Sequence, residues 1–312
     1  MKLDLMKPRH PFYRSTRQRS KREMCHRRRQ LRRLAIESLE EKRLLAVFTV
    51  DSVSDLVDQN PGDGLCEVST GGACTLRAAV MEVNALGGSA EVDQILLPAG
   101  AYVFALPGNG NLAGDLDITQ SVILSGAGSA STIIDASGLD RVFDVQSGNV
   151  EIRGVTVRGG VVDDTEALLE GTGGGIRNEG TLLLADSVVT GNRATRGAGV
   201  GNYNGTLNVQ RSVITGNGDA ATQSGGGVEN YSYYDPASLS LTDSTVSGNR
   251  ASSGGGLSNH AYDGVASAVI AGSTISGNSA GDGGGIANRA VYYAEQGTAA
   301  VLTIVGSTLS GN

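Results

Sequence analysis

The sequence predicts an all-β parallel β-helix, a solenoid of short strands with a short capping helix at its N-terminal end. A unit returns five times between residues 173 and 312, and its closing Asn residues are 25, 32, 29 and 34 positions apart. Short, partly alternating apolar segments fill the chain from residue 91, and no helical pattern of ten or more residues separates them. The 312 residues include 46 Gly, four Phe and no Trp, a composition that favours stacked strands and turns over an ordinary globular core.

The repeats predict how the coils stack. Each opens with a segment such as GGGIRN and closes with one such as DSVVTGN, so we expect three short strands per coil. Coils stack about 4.8 Å apart, as strands do in any sheet, and equivalent residues form columns. Two apolar columns should face the interior: Ile176, Val200, Val228, Leu257 and Ile286, and Val189, Ile214, Val246, Ile275 and Leu309. Alternation places a serine column beside the second: Ser187, Ser212, Ser244, Ser273 and Ser307.

Two further columns consist of asparagine. A stacked Asn amide can donate to the coil on one side and accept from the coil on the other. Asn also tolerates the left-handed backbone that a tight corner needs. We therefore predict structural ladders, not ligand-binding residues, at two corners: Asn178, Asn202, Asn230, Asn259 and Asn288, and Asn192, Asn217, Asn249, Asn278 and Asn312.

Residues 48–90 predict the capping module. Thr75 is a suitable helix N-cap, and Leu76, Ala79, Val80 and Val83 follow at the spacing of one apolar helix face. Such a helix can cover the open end of a stack of coils. In the same segment, Cys66 and Cys74 lie eight positions apart in a Gly-rich region without Lys, which favours a disulfide and an oxidising compartment over two free thiols.

The charge divides the chain into a basic arm and an acidic body. Through residue 46 there are 15 Lys or Arg and 5 acidic residues; from residue 47 onward there are 10 Arg, no Lys and 27 acidic residues, a net charge of −17. A basic tail for nucleic acid is one interpretation of the arm, but it lacks interleaved aromatics and adjoins an acidic body, so no nucleic-acid partner is expected. No run of 18 apolar residues exists, so no transmembrane helix is predicted.

Several segments resemble known families. SLEEKRLLA in the arm resembles the LEPR-type motif that precedes many large bacterial surface proteins, which implies that residues 1–47 serve export or sorting. Residues 74–79, CTLRAA, resemble the CSLREA motif, with alanine in place of its Glu. Residues 91–312 resemble the pectin-lyase-like right-handed β-helix, and their repeats resemble those of polymorphic outer membrane proteins. The resemblance implies an extracellular or cell-surface location. Because Asn312 closes a repeat and no cap follows, we expect a fragment of a longer protein.

Two acidic segments are candidates for chemistry. Asp55, Asp58 and Asp63 lie in a turn-rich loop that offers hard oxygen ligands, so calcium is the one candidate cofactor; a solvated turn is the alternative. The insertion VVDDTEALLEGT places Asp163 and Asp164 shortly after Arg158, which makes these three the catalytic candidates if the chain is an enzyme. The alternative for this insertion is also a solvated loop.

An aromatic corner is the candidate binding surface. Seven of the nine Tyr residues follow the first Asn column within a few positions. They could stack on polysaccharide or anchor a surface protein, or they could only cover the corner of the coils. The candidate ligand-binding residues are Tyr203, Tyr231, Tyr233, Tyr234, His260, Tyr262, Arg289, Tyr292 and Tyr293.

The functional prediction is a non-catalytic, exported or cell-surface β-helix protein that is adhesin-like and binds glycan or protein. The alternatives are a carbohydrate-active β-helix enzyme, either a lyase or a hydrolase, and a structural spacer. Carboxylates that converge near an Arg in one groove would favour the enzyme, whereas a bare tyrosine face would favour binding.

Overall fold

The chain winds into successive coils of three strands each. The computed structural model describes residues 45–87, 92–108, 110–163, 171–291 and 297–312. Within these ranges there are 26 strands and one helix, and almost all strands belong to three parallel sheets. The predicted all-β parallel β-helix is confirmed.

The first sheet has nine strands. They are β1 (Val47–Thr49), β2 (Asp93–Leu97), β5 (Val122–Gly126), β8 (Asn149–Arg153), β12 (Thr181–Ala185), β16 (Thr206–Gln210), β19 (Ala237–Thr242), β22 (Val265–Ala271) and β25 (Ala299–Val305).

The second sheet has eight strands. They are β3 (Gly100–Val103), β6 (Thr132–Asp135), β9 (Thr156–Arg158), β13 (Val188–Thr190), β17 (Val213–Thr215), β20 (Thr245–Ser247), β23 (Thr274–Ser276) and β26 (Thr308–Ser310).

The third sheet has seven strands, and beside it β10 (Val161–Val162) pairs with β14 (Arg193–Ala194) as a small separate ladder. The seven are β4 (Leu116–Ile118), β7 (Phe143–Val145), β11 (Ile176–Asn178), β15 (Val200–Tyr203), β18 (Val228–Tyr233), β21 (Leu257–Tyr262) and β24 (Ile286–Val291).

The predicted columns coincide with the register of the sheets. Ile176 pairs with Val200, which pairs with Val228, and the same series continues to Leu257 and Ile286. The second apolar column follows the second sheet in the same way. Because side chains alternate along each strand, these residues line one continuous apolar core, except Leu309, which lies in the last strand of the second sheet and is 46% exposed.

Asparagine and serine ladders run along the core. In the first Asn column each Nδ2 donates to the Oδ1 of the next Asn, at 2.6–2.7 Å. In the second column the corresponding distances are 2.9–3.0 Å, and the next Oδ1 also accepts from the backbone N–H. The serine column likewise links successive coils, since each backbone N–H donates to the hydroxyl of the following Ser at 3.1 Å.

Helix α1 (Leu76–Leu86) packs against the N-terminal coils. Thr75 is its N-cap: the hydroxyl accepts from the N–H of Ala78 at 3.1 Å and donates to the carbonyl of Leu56 at 2.6 Å. The four residues of the predicted apolar face are all buried. Cys66 and Cys74 form a disulfide just before the helix.

Helix α1 also buries charge, which its apolar pattern does not predict. Arg77 forms an ion pair with Asp55 at 2.6 Å and donates to the carbonyls of Gly114 and Asp115 at 2.8 and 3.2 Å. The Glu82 carboxylate accepts the backbone N–H groups of the loop that carries Gly62 and Gly64. These contacts tie the capping segment to the first coils.

Some predictions fall outside the described residues. They are the export segment up to residue 44, Asp164 in the acidic insertion, and Tyr292 and Tyr293 in the aromatic corner. In the part of the chain that the structure describes, no helix is both long and apolar enough to cross a bilayer.

Candidate functional site

An acidic cleft lies on the outer face of the third sheet. In β4 and β7 the side chains of Leu116, Ile118, Phe143 and Val145 enter the core. Alternation turns the residues between them, Asp117 and Asp144, outward. These two aspartates pair directly across adjacent strands, and Arg177 of β11 is the next residue in the same row.

Three carboxylates converge in this cleft. One oxygen from each of Asp115, Asp117 and Asp144 lies within 4.8 Å of the others. Gln146 joins two of them, donating to Asp117 Oδ1 at 2.9 Å and to Asp144 Oδ2 at 3.3 Å. The cleft has a volume of about 570 Å³, and Asp140, Asp163 and the aliphatic side chains of Leu139, Val161 and Val162 complete its walls.

Two arginines are part of the same cleft, and both are ion-paired. Arg141 Nε lies 2.7 Å from Asp115 Oδ2, and its Nη1 donates to the carbonyl of Thr172 at 3.0 Å. Arg177 Nη1 lies 3.0 Å from Asp144 Oδ2, and its Nη2 contacts Glu179. With five aspartates and two arginines among its described lining residues, the cleft carries a net charge of −3 when all are ionised.

Burial makes this set of carboxylates costly to ionise. Desolvation, with the adjacent Asp140, raises the pKa of Asp115 to about 7, although the Arg141 charge opposes the shift. Burial and the neighbouring Asp144 also raise the pKa of Asp117. Both shifts have the sign expected where like charges share a poorly solvated site.

The arrangement fits a hard divalent cation. Calcium prefers carboxylate and carbonyl oxygens, and several carboxylates converging from separate loops supply them. The Oδ1 atom of Asp144 is buried and has no hydrogen-bond partner in the structure, so it is available as a ligand. Asp115, Asp117 and Asp144 would hold the ion, which would neutralise their mutual repulsion.

The sequence predicted the metal-binding residues in a different place. Asp55 is committed to Arg77 and to the N–H groups of Ala105 and Leu106. Asp58 accepts from the N–H groups of Asn60 and Glu67. Asp63 accepts from the N–H of Leu65. Among the described residues these three aspartates do not form a ligand group: Asp55 is paired with Arg77, whereas Asp58 and Asp63 both accept hydrogen bonds from Asn60 in one loop.

The catalytic candidates also separate. Asp163 lies at the rim of the cleft, where it pairs with Arg193 at 2.9 Å. Arg158 is on β9 of the second sheet and pairs with Asp135 at 2.8 Å, and it is not among the residues that line the cleft. The acidic insertion therefore contributes Val161, Val162 and Asp163 to the described wall, while the converging carboxylates come from β4, β7 and the segment before β4.

The signal for the cleft is present in the sequence. LDI (116–118) and FDV (143–145) each place an Asp between two core residues, and IRN (176–178) places an Arg at the same position one coil later. Their spacing of 27 and 33 residues lies in the range of the repeat. Sequence analysis placed the catalytic candidates in and near the acidic insertion VVDDTEALLEGT, where several carboxylates are close together in the chain, and did not single out these isolated aspartates.

The tyrosine corner continues the outer face of the same sheet. Tyr203 pairs with Tyr231, which pairs with His260 and then Arg289, so these residues form one row. Tyr203 and Tyr231 are only 8% and 4% exposed, and their ring centroids lie 5.5 Å apart. These two cover the coils, as the alternative interpretation predicts.

The outermost tyrosines are more accessible. Tyr233 stacks on Tyr262 with ring centroids 5.2 Å apart and contacts Tyr234 at 4.4 Å. Tyr234 is 61% exposed. We call Tyr233, Tyr234 and Tyr262 the aromatic platform.

The aromatic row also contains buried titratable groups. His260 packs edge-on against Tyr231 at 5.1 Å, and burial together with the charges of Arg196 and Arg289 lowers the pKa of His260 to about 4. Glu229, fully buried in the row beside it, has its pKa raised to about 7 by desolvation, which Ser224, Ser258 and Arg196 only partly offset.

Comparisons with known proteins give matches to solved structures alone. No family model matches the chain, and no curated protein does so either. The chain is similar to the pectate lyase Pel9A, with 14% identity over 85% of this chain and 63% of that one and a TM-score of 0.45. It is also similar to ORF18 of Geobacillus virus E2, with 13% identity over 74% and 48% and a TM-score of 0.42.

A further similarity is to the A-module of the mannuronan C-5 epimerase AlgE4 of Azotobacter vinelandii, with 16% identity, 85% and 96% coverage and a TM-score of 0.29. The chain thus spans less than two thirds of the first two structures. Identities this low carry no information about activity. The three parallel sheets of the chain itself show the parallel β-helix fold.

Proposed function

We propose that the chain binds an anionic polysaccharide through a calcium ion held by Asp115, Asp117 and Asp144. The observation that carries this proposal is the convergence of three carboxylates, one with an unpartnered buried oxygen, in an open cleft beside two arginines. A net negative cleft repels an acidic polymer, whereas a bound divalent cation reduces that repulsion and can share its coordination with the polymer's carboxylates. Arg141 and Arg177 are additional cations at the wall.

Binding is favoured over bond cleavage because both arginines of the cleft are engaged with carboxylates. An Arg acting as a base would have to lose its proton, and ion pairing stabilises the protonated guanidinium. The proposal therefore retains the prediction of a non-catalytic, exported, surface-located binding protein. The export segment, the surface location and the relation to CSLREA-type proteins remain part of this proposal.

The test is calcium binding by the full-length chain, measured by titration calorimetry, together with retention on immobilised polygalacturonate with calcium or with EDTA. Asp144→Asn should weaken calcium binding about tenfold or more, because it removes one of three charged ligands while keeping the side-chain shape. Asp186→Asn is the matched control, since Asp186 is an exposed partner of Arg211 outside the cleft. Calcium binding that Asp144→Asn leaves unchanged would refute the proposal.

The carbohydrate-active enzyme is a second candidate, and one observation favours it. Asp115 and Asp144 are each paired with an Arg, and burial raises the pKa of Asp115 to about 7. A carboxyl group of raised pKa beside a second carboxyl group is the arrangement used for acid–base work on glycosidic bonds. Incubation of the chain with polygalacturonate and calcium, followed by analysis for unsaturated or reducing-end products, decides between the candidates. Products that disappear in Asp115→Asn would establish the enzyme.

A further inference from the structure

Tyr234 holds a backbone conformation that a tyrosine rarely adopts. Its φ is +68°, in the left-handed region, directly after β18. The residues that directly follow β15 and β21 are Asn204 and Asp263, with φ of +52° and +54°, and Asp263 is at the same register position as Tyr234. Asn and Asp tolerate this region, whereas for a bulky aromatic residue it is an outlier that costs free energy. Nothing in the core repays this cost, because the side chain of Tyr234 is 61% exposed.

The strained residue belongs to an ordered aromatic surface. The Tyr233 ring lies between Tyr234, at 4.4 Å, and Tyr262, with which it stacks at an interplanar angle of 24°. Below it, Tyr203 and Tyr231 lie 6.2 Å from the Tyr233 centroid and support it from the buried side. Flat rings fixed in place by neighbours lose little conformational entropy when a ligand stacks on them.

The aromatic platform lies on the same face of the third sheet as the acidic cleft, although Gly201 and Glu229, the residues of the row between them, are buried. The row that begins with Asp117 and Asp144 passes through Arg177 and continues across β15 to Glu229 of β18. Tyr231 and Tyr233 follow Glu229 on the same strand at every second position, so they face the same side. Three strand spacings separate β7 from β18, roughly 14 Å along the axis. One extended polymer can therefore contact both areas.

The charge beside the platform indicates what occupies it. Arg289 is exposed at the end of the aromatic row, and Arg196 lies 5.5 Å from the Tyr231 ring centroid. His260 is neutral at pH 7, because burial, together with the charges of Arg196 and Arg289, lowers its pKa. Arg289 is thus an exposed cation beside the stacked rings, although Asp235 and Asp263 directly follow Tyr234 and Tyr262. The combination of rings and cation fits a sugar whose C–H face stacks on tyrosine and whose carboxylate approaches Arg289.

We propose that Tyr233, Tyr234 and Tyr262, with Arg289 at their edge, form a second contact area for the same anionic polysaccharide that reaches the acidic cleft. This inference rests on the proposed function and adds to it a ligand long enough to span both areas. The strained conformation of Tyr234 is then retained because it presents the ring to the sugar. The aromatic platform increases the affinity and orients the polysaccharide along the coil axis, while the calcium ion in the acidic cleft gives selectivity for acidic sugars.

Tyr234→Asn is the decisive variant. It places after β18 the kind of residue that follows β15 and β21, so the thermal midpoint should stay the same or rise. Affinity of the full-length chain for polygalacturonate in calcium should fall about three- to tenfold, while the calcium affinity stays unchanged. Arg289→Gln should weaken polygalacturonate binding and leave any weak binding of neutral dextran unaltered.

Intrinsic fluorescence gives a direct readout, because the chain has nine Tyr and no Trp. Polygalacturonate should change the tyrosine emission of the wild type and of Tyr102→Phe, a control that removes a tyrosine from β3, and should change it less in Tyr234→Asn. Unaltered affinity in Tyr234→Asn would overturn the platform even if the calcium site stands. A loss of affinity in Tyr234→Asn without any calcium binding would support the platform and refute the cation-dependent function.

Discussion

The pH dependence of stability, with and without calcium, tests the acidic cleft most directly. Asp115 is 5% exposed, and its pKa rises from 3.8 to about 7 in the folded chain. A carboxyl group with a raised pKa binds protons more tightly in the folded state, so the folded state is favoured at low pH. Its contribution is fully present below about pH 4 and is lost as the pH rises through about 7. The difference between these two pKa values corresponds to about 4 kcal/mol of folding free energy at most.

The perturbation is Asp115→Asn, which removes the ionisation and keeps an oxygen acceptor for Arg141. We expect the wild-type thermal midpoint in EDTA to be lower at pH 8 than at pH 5, by about 10 °C or less. In Asp115→Asn this difference should shrink, because the variant has no charge to bury at pH 8. Calcium should raise the wild-type midpoint at pH 8, where the carboxylates are ionised, and should do so far less in the variant.

The assay is thermal unfolding followed by circular dichroism at the two pH values, each with EDTA and with calcium. Midpoints are compared, rather than free energies, because a stack of repeated coils need not unfold in two states. Equal pH dependence in wild type and Asp115→Asn would refute the assigned pKa shift. Full calcium stabilisation in the variant would show that the ion binds elsewhere.

Three other changes test the framework around the site. Asn217→Ala should destabilise the fold by about 3–5 kcal/mol, because its buried side-chain amide forms hydrogen bonds with both neighbouring coils. The control Asn208→Ala, on the outer face of β16, should have little effect. Denaturant unfolding measures both variants. Arg77→Met should lower the free energy of unfolding by about 3–5 kcal/mol, because it leaves Asp55 buried without its ion-pair partner. It should also weaken calcium binding measured by calorimetry, since the Asp115 carbonyl loses the hydrogen bond from Arg77. Glu229→Gln should raise the thermal midpoint at pH 8 but not at pH 4, because the pKa of the buried carboxyl is near 7 and its ionisation destabilises the folded state. An unchanged midpoint at pH 8 would contradict this prediction.

The solenoid could be predicted from the sequence because its stabilising contacts repeat. Ile176 and Val200 differ by one repeat in the sequence and by one strand in space, so period translates directly into contact. The helix was predictable for a local reason, since Thr75 caps it and its apolar positions follow one face. Both predictions use information within about one repeat length.

The candidate site was harder to predict because it depends on two or three single residues placed in successive coils. Asp117 and Asp144 stand outside the five clear repeats, where the units align poorly by letter. Asp115 is held at its backbone carbonyl by Arg77 of the capping helix, a contact between residues 38 positions apart in the chain. The aromatic corner was recognised from composition, but the division into covered and accessible tyrosines depends on side-chain packing that no pattern records.

Because of the asparagine ladders, each coil presents the same hydrogen-bonding groups to both of its neighbours. Every described step along each ladder has the same donor, the same acceptor and the same direction, although the connecting segments range from 24 to 34 residues. A coil that is duplicated or deleted as a whole therefore meets the same amide on both sides, and no neighbour has to change to receive it. Genes that encode such a stack can lengthen or shorten by unequal recombination without passing through an unfolded intermediate form. The length of the solenoid can thus evolve separately from the chemistry of the acidic cleft, which lies mainly in the coils that precede the five clear repeats.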